Sequence, residues 1–334
     1  MDSISIFSAL GQQLNKLPQQ PETPSFLARV AQNNPWFTPL EVQNCWEAWT
    51  NLLQPEKLNT WLKPYPPTQN PKKVGIIMAG NIPLVGLHDL LAVLASGHHA
   101  IVKPSSDDTL LLQQIIELLL NISPELEQRI TLTERMHGID ALIATGSNNS
   151  SRYFEHYFKH IPHIIRKNRN SVAILTGRET AEELTALAED IFSYYGLGCR
   201  SVSKLFVPKA YNFSQLFEQS EGFRERMNGN TRYANNLDYN LALLLVNRDP
   251  HLTNHLLILR EAEGLGSPIS VVFYEYYEQE SALVNRIQRL DDQLQCVVGH
   301  PIHGINTIAF GQSQHPELWD YADGLNTLDF LVGL

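Results

Sequence analysis

Cysteine is scarce in this chain: Cys45, Cys199 and Cys296 are the only three, and they stand far apart. No two share the spacing of a disulfide framework or a metal knuckle, and the thiols read as those of a reducing compartment. No apolar run reaches the roughly 20 residues that a membrane-spanning helix needs. Met1 leads into no signal-like apolar core, so a cytoplasmic location is expected. Positive charge is also short, with 25 Lys and Arg against 35 Asp and Glu, a formal net charge of −10. That balance argues against nucleic acid or an anionic membrane as a partner. The common dinucleotide fingerprint, Gly-x-Gly-x-x-Gly after the first strand-like run, is missing too. A bound nucleotide would need a local pocket of loop amides and a few cations. No internal repeat or low-complexity tract breaks the chain.

What is present is a globular composition, 43% hydrophobic and 18% charged over 334 residues, long enough for two domains. Residues 1–70 carry helical spacing at Leu10, Leu14 and Leu17, at Phe26, Leu27 and Val30, and at Val42, Trp46, Trp49, Leu52 and Leu53. Prolines punctuate those helices, and the segment is expected to cap the domain that follows. Residues 74–78 predict a buried strand that ends in Ala79-Gly80-Asn81-Ile82-Pro83-Leu84, followed by a helix closed at Gly97. Residues 100–102 predict a second strand, leading to Lys103-Pro104-Ser105-Ser106, with Ser106-Asp107-Asp108 as the N-cap of a helix over 110–120. A third strand at 141–144 leads to Gly146-Ser147 and a helix over 152–160. This alternation predicts a parallel, doubly wound sheet, in which ligands bind beyond the carboxyl ends of strands. Asn81, Lys103 and Ser147 all follow strands in that way, and Lys103 with the Gly146-Ser147 turn is the candidate holder of a nucleotide.

Residues 164–175 place a basic cluster before a strand, and a second α/β unit is expected beyond it. Its strands are predicted at 204–207, 241–246, 269–274 and 295–298, and its helices at 213–219 and 281–290. The boundaries are drawn near Gly177 and Gly304. Between a helix that ends at Phe192 and a strand that starts at Val202 lies Ser193-Tyr194-Tyr195-Gly196-Leu197-Gly198-Cys199-Arg200-Ser201. Two glycines end the helix and leave Cys199 on a loop held by two rigid elements. Such a thiol is either a reachable nucleophile or a small buried hydrophobe. His300-Pro301-Ile302-His303 lacks a third ligand and is broken by Pro301, and His98-His99 is read as a surface turn, so no metal is expected.

The ordered set Asn81-x-Pro83, Lys103-Pro104-Ser105, Gly146-Ser147, an Asn/Ser-containing strand start near Ser171 and Gly196-x-x-Cys199 resembles the aldehyde dehydrogenase fold. Ala79-Gly80-Asn81-Ile82-Pro83, the run from Gly196 to Lys204, Phe310-Gly311 and Asp323-Gly324 resemble more closely its acyl-CoA reductase branch, the LuxC-type fatty-acid reductases. The resemblance implies an α/β, aldehyde dehydrogenase-like fold. Residues 1–177 would hold the N-terminal cap and the nucleotide-binding domain (core from about 74), residues 178–304 the catalytic domain, and residues 305–334 a tail that returns to the first. It implies an aldehyde-forming oxidoreductase that reduces an acyl thioester, acyl-CoA above all, with NADPH or NADH. Cys199 would be the acylated nucleophile, and Asn81 with the Cys199 backbone N–H would hold the oxyanion. Lys103, Ser105, Ser106, Gly146 and Ser147 would bind the cofactor. A homo-oligomer and an acyl-activating partner protein are implied as well. Two positions depart from the family pattern. Arg166 stands where aldehyde-oxidising relatives place a glutamate base, and Ser106 where they place a ribose-binding glutamate. The rival readings are a Cys-dependent acyltransferase or thioesterase, and a catalytically silent assembly subunit of the same fold.

Overall fold

In the computed structural model, which describes residues 2–334, the chain forms two units, residues 2–168 with 317–334 and residues 169–316. The first opens with helices Ser3–Lys16, Thr23–Asn33, Pro39–Leu52 and Pro55–Leu62. Prolines occupy the first turn of the last three, where a missing N–H costs nothing. Thr38 caps the third by accepting the Glu41 N–H. The buried faces of these helices, with Leu10, Leu14, Trp46 and Trp61, share one core with Val74, Leu90, Val102 and Leu119 of the α/β part. The N-terminal helices therefore cap the sheet rather than fold apart from it.

That sheet has strands β1 (Lys73–Ile77), β2 (His99–Lys103), β3 (Ile130–Leu132), β4 (Ala141–Thr145) and β5 (His163–Arg166). Their order is β3-β2-β1-β4-β5, and every pairing is parallel. The chain winds outward from β1 on one side and from β4 on the other. The order therefore reverses between β1 and β4, the point where such sheets open a crevice at their carboxyl edge.

The second unit has strands β6 (Asn170–Ile174), β7 (Val202–Pro208), β8 (Leu252–Thr253), β9 (Ile258–Glu261), β10 (Val271–Tyr277), β11 (Leu294–Gly299) and β12 (Thr307–Ile308). Their order is β12-β11-β6-β7-β10-β9-β8, with only β8–β9 antiparallel. Helix Ala181–Phe192 enters through a full capping box between Thr180 and Glu183 and leads directly to the Cys199 loop.

The structure differs from the sequence reading at several points. Residues 241–246, expected as a strand, form the end of helix Thr231–Asn247. The run is apolar throughout, but Tyr233, Leu237, Asn240 and Leu244 turn inward at helical spacing, while Leu245 and Val246 face out. Asn230 caps this helix through the N–H groups of Arg232 and Tyr233. Short strands β3, β5, β8, β9 and β12 have no counterpart in the sequence reading. The chain passes from the first unit to the second at residues 168 and 169, before β6, and Gly177 follows that strand. His98 is buried rather than at the surface: its ring accepts the Lys72 N–H and meets the Leu331 carbonyl. Among the described residues, no helix is long and apolar enough to cross a membrane.

Candidate active site

Three consecutive left-handed residues deliver Cys199 to the surface. Tyr194 (φ 52°), Tyr195 (φ 57°) and Gly196 (φ 76°) reverse the chain after Phe192. For a non-glycine residue that conformation costs about 1–2 kcal/mol, so two tyrosines in it mark a turn held by its surroundings. Burial of Tyr195 against Tyr233 is one such hold. A Ser193 hydroxyl that donates to Glu189 is another. Beyond the turn, the Ser201 N–H closes on the Gly198 carbonyl. Ser171, at the start of β6 and fully buried, donates its hydroxyl to the Cys199 carbonyl at 2.9 Å. The return segment is fixed from the same side, since Asp190 accepts the Gly311 and Ser313 N–H groups at 2.7 and 2.9 Å. Gln314 then reaches the Ser201 hydroxyl. Cys199 thus stands at the amino end of β7, the opposite edge from the one that the strand rule favours in the first unit.

Exposure separates the three thiols. Cys45 is buried, Cys296 is half-buried and Cys199 is exposed. Burial pushes the Cys45 thiol well up, and it pushes Cys296 up as well, so both are held in the protonated, unreactive form. Among the described residues, no group of three or more His, Cys, Asp or Glu is placed to hold a metal.

In the first unit, the expected cofactor residues share one edge. Asn81 follows β1, Lys103 ends β2, and Gly146-Ser147 follows β4, on three adjacent strands. Gly80 packs so closely on the next loop that a Cβ there would lie 2.6 Å from the Ser105 Cβ. The Met78 N–H donates to the Lys103 carbonyl at 3.1 Å, which ties the same two loops. Ser105 accepts the Asp107 N–H, and Ser147 caps helix Asn148–Phe158 by accepting the Ser150 N–H. A side chain at Gly146 would press on Ser150 and Phe154. Close-packed glycine backbone at Gly80 and Gly146, a helix start at Ser147 and the exposed Lys103 form an edge suited to an anionic nucleotide.

The expected N-cap is not formed as the sequence suggested. Helix Thr109–Ile122 starts one residue before the expected 110, and Asp108 stands at its N-cap without a side-chain bond to it. Its carboxylate instead accepts the Leu84 N–H at 2.8 Å. Arg166 is likewise committed, forked onto buried Asp89 with a further bond to Thr327.

The model of the acyl-CoA reductase (LuxC) family matches residues 15–297. The chain belongs to that family. It is an aldehyde-forming oxidoreductase, and its reaction is the NAD(P)H-dependent reduction of an acyl thioester to an aldehyde. Solved structures agree on the fold. Aldehyde dehydrogenase 21 from Physcomitrella patens, in complex with succinate, is 12% identical, with 97% of this chain and 78% of that one covered at a TM-score of 0.65. The NAD+ complex of an aldehyde dehydrogenase from Bacillus cereus is 13% identical, with 89% and 72% covered at a TM-score of 0.60. An NAD-dependent aldehyde dehydrogenase from Sinorhizobium meliloti is 11% identical, with 89% and 70% covered at 0.64. No curated protein matches the sequence.

In this acyl-CoA reductase, sequence reasoning missed Asp190 altogether, and it missed the backbone bonds that Ser171, read only as a strand start, and Asp108, read only as a helix cap, make to neighbouring loops. Ser171 and Asp190 are bonded to residues far along the chain, so no local spacing marks them. Asp108 had a visible signal, an acid just before a helix, but that signal pointed to the wrong partner.

Proposed function

We propose that Cys199 is the nucleophile of this thioester reductase and that Asn81 donates to the carbonyl oxygen as it becomes an oxyanion. Lys103, Ser105, Ser106, Gly146 and Ser147 would hold the phosphate and ribose parts of NADPH or NADH. The observation that carries the reading is the thiol inventory: of the three cysteines only Cys199 is exposed, and a strained, braced turn presents it. Support for the cofactor site is the placement of Asn81, exposed Lys103 and Gly146-Ser147 at the carboxyl ends of adjacent strands β1, β2 and β4, together with the NAD+ bound in the Bacillus cereus relative.

The steps follow from the groups present. As thiolate, the Cys199 sulfur attacks the carbonyl carbon of an acyl-CoA, and a new C–S bond forms. The bond to the CoA sulfur then breaks, and the departing thiolate takes up a proton. A donor on the oxyanion contributes about 3–4 kcal/mol in comparable sites. Reduced nicotinamide, when bound, supplies the hydride that reduces the acyl group. The reduced acyl group would stand on Cys199 as a thiohemiacetal oxyanion; its C–S bond breaks as the C=O bond re-forms, and the aldehyde leaves with the thiolate restored. Arg166 plays no part as a base, because its guanidinium accepts no proton.

The test is labelled acyl-CoA with peptide mass mapping. The acyl group is expected on Cys199, to be lost in Cys199→Ala and retained in Cys45→Ala and Cys296→Ala. An adduct that persists in a folded Cys199→Ala protein contradicts the assignment.

A further inference from the structure

The loop that carries Asn81 is fastened at its far end by two buried side chains. Leu84 ends that loop in the left-handed region, at φ +53°, although it is not glycine. Two bonds bracket the strained position. The Leu84 N–H donates to Asp108 Oδ2 at 2.8 Å, and the Cys45 thiol donates to the Pro83 carbonyl at 3.3 Å. Cys45 comes from helix Pro39–Leu52 and Asp108 from the loop after β2, so the turn is gripped from two directions. Pro83, Leu84, Cys45 and Asp108 are all buried.

The placement of Asp108 costs the fold something locally. The residue forgoes capping its own helix, and its Oδ1 is buried with no hydrogen-bond partner. Burial, with repulsion from Asp107 added and the Leu84 N–H opposing, pushes its carboxyl up to about 8. A buried acid with one idle oxygen is ordinarily selected against by stability, since an unpaired buried polar atom is costly. Its one engaged oxygen goes to the hinge of the Asn81 loop. Cys45, its thiol held protonated by burial, remains a hydrogen donor to the adjacent carbonyl.

We infer that Asp108 and Cys45 form a two-point clamp that positions the Asn81 loop for acyl transfer, making both positioning residues. The inference rests on the assignment of Asn81 as oxyanion donor. A clamp on the hinge of a catalytic loop acts by holding a donor within tenths of an ångström, and a 1 Å misplacement costs about 10²-fold in rate.

The experiment is single-turnover acylation of Cys199 by acyl-CoA, in the full-length protein, for Asn81→Ala, Asp108→Ala, Asp108→Asn and the Asn81→Ala/Asp108→Ala pair. Alkylation of Cys199 by iodoacetamide, which needs no oxyanion donor, runs beside it as a control on the thiol. Asp108→Ala is expected to slow acylation by about 10- to 100-fold, with alkylation and half-saturation by acyl-CoA unchanged. Asp108→Asn should keep most of the rate, because its amide oxygen still accepts the Leu84 N–H. In the Asn81→Ala background, Asp108→Ala should add no further loss. Wild-type acylation by Asp108→Ala overturns the clamp, as does an equal loss in both backgrounds. Wild-type acylation by Asn81→Ala overturns the oxyanion assignment instead. Should Asp108→Ala not fold, Cys45→Ala carries the same comparison, with a several-fold loss expected that vanishes without Asn81.

Discussion

Arg166 grips Asp89 with both prongs, Nη1 at 2.6 Å from Oδ2 and Nη2 at 3.0 Å from Oδ1, and both side chains are buried. Thr327 receives a third bond from the same guanidinium at 2.8 Å. The pair ties β5 to helix Leu87–Ala95 and to helix Thr327–Val332, all within the first unit. In the acyl-CoA reductase, then, the position that lacks a glutamate base is occupied by a structural cation. A buried, forked pair is costly to break from one side, by about 3–5 kcal/mol, because the partner is left charged in a dry place. Asp89→Ala and Arg166→Met are each expected to lower unfolding free energy by that amount in urea. Arg166→Glu should be worse, since it sets two carboxylates together. A change under about 1 kcal/mol in any of the three would show the pair to be idle.

The buried acid at Asp108 predicts a pH dependence of stability. Its folded-state value, about 8, lies above the ordinary carboxyl value, so the folded protein retains a proton that the unfolded chain releases. Its contribution is fully present at low pH, and it is lost as pH rises from about 4 through about 8. The groups that share its surroundings are Asp107 on the same loop and Cys45 and Glu41 on helix Pro39–Leu52, none of them cationic. Asp108→Asn has no proton to lose. The stability of the wild type relative to Asp108→Asn should therefore fall between about pH 4 and about pH 8 in urea titrations and level off above that. A difference that stays flat across that range contradicts the buried, protonated state.

The loops were easier to read in the sequence than the bonds that hold them. Ala79-Gly80-Asn81 and Gly146-Ser147 are visible because strand, glycine and helix pattern follow one another within a dozen residues. Cys199 is visible for the same reason, with Gly196 and Gly198 beside it. By contrast, the left-handed Tyr194 and Tyr195 look like ordinary helix-end aromatics, and only tertiary packing forces them there. The grip of Asp108 on Leu84 hides behind a plausible cap, because a local rule and a distant partner compete for one carboxylate. Arg166 reads as part of a basic run, and its partners Asp89 and Thr327 lie far away in the chain. The end of helix Thr231–Asn247 was misread because a run apolar on every face masks the helical period.

Ser106 bears on cofactor choice. It is exposed and lies outside helix Thr109–Ile122, so it is open to substitution. A carboxylate there would repel a 2′-phosphate, and serine does not, while exposed Lys103 attracts one. NADPH is expected to be used at least as well as NADH. Ser106→Glu should leave stability within about 0.5 kcal/mol and shift the ratio of kcat/KM values toward NADH by roughly tenfold, about 1.4 kcal/mol. An unchanged ratio would show that Ser106 does not face the ribose.

The commitment of Arg166 also sets the fate of the acyl-enzyme. An acyl-Cys199 thioester has three exits: attack by water, return to CoA, or reduction. Water at neutral pH needs a positioned base to take its proton, an effect of about 10²–10⁴-fold. Arg166 cannot serve, being cationic and spent on Asp89 and Thr327. Glu261 and Glu263 are the exposed acids of the second unit nearest in the chain to Gly264, and the Glu263 backbone is already pinned by buried Lys204 at 2.9 Å. Hydride addition needs no base to activate it, so the reductive exit is the one that loses nothing by the substitution. The isolated acyl-enzyme should accordingly persist without cofactor and discharge within a turnover once NADPH is added. Decay of labelled acyl-enzyme is followed with and without NADPH, with aldehyde and fatty acid measured separately. Aldehyde should account for the cofactor-dependent phase, and free fatty acid should accumulate at least about 10²-fold more slowly. Rapid release of fatty acid without cofactor would mean that a base does reach the thioester, and Glu261→Gln and Glu263→Gln would then identify it.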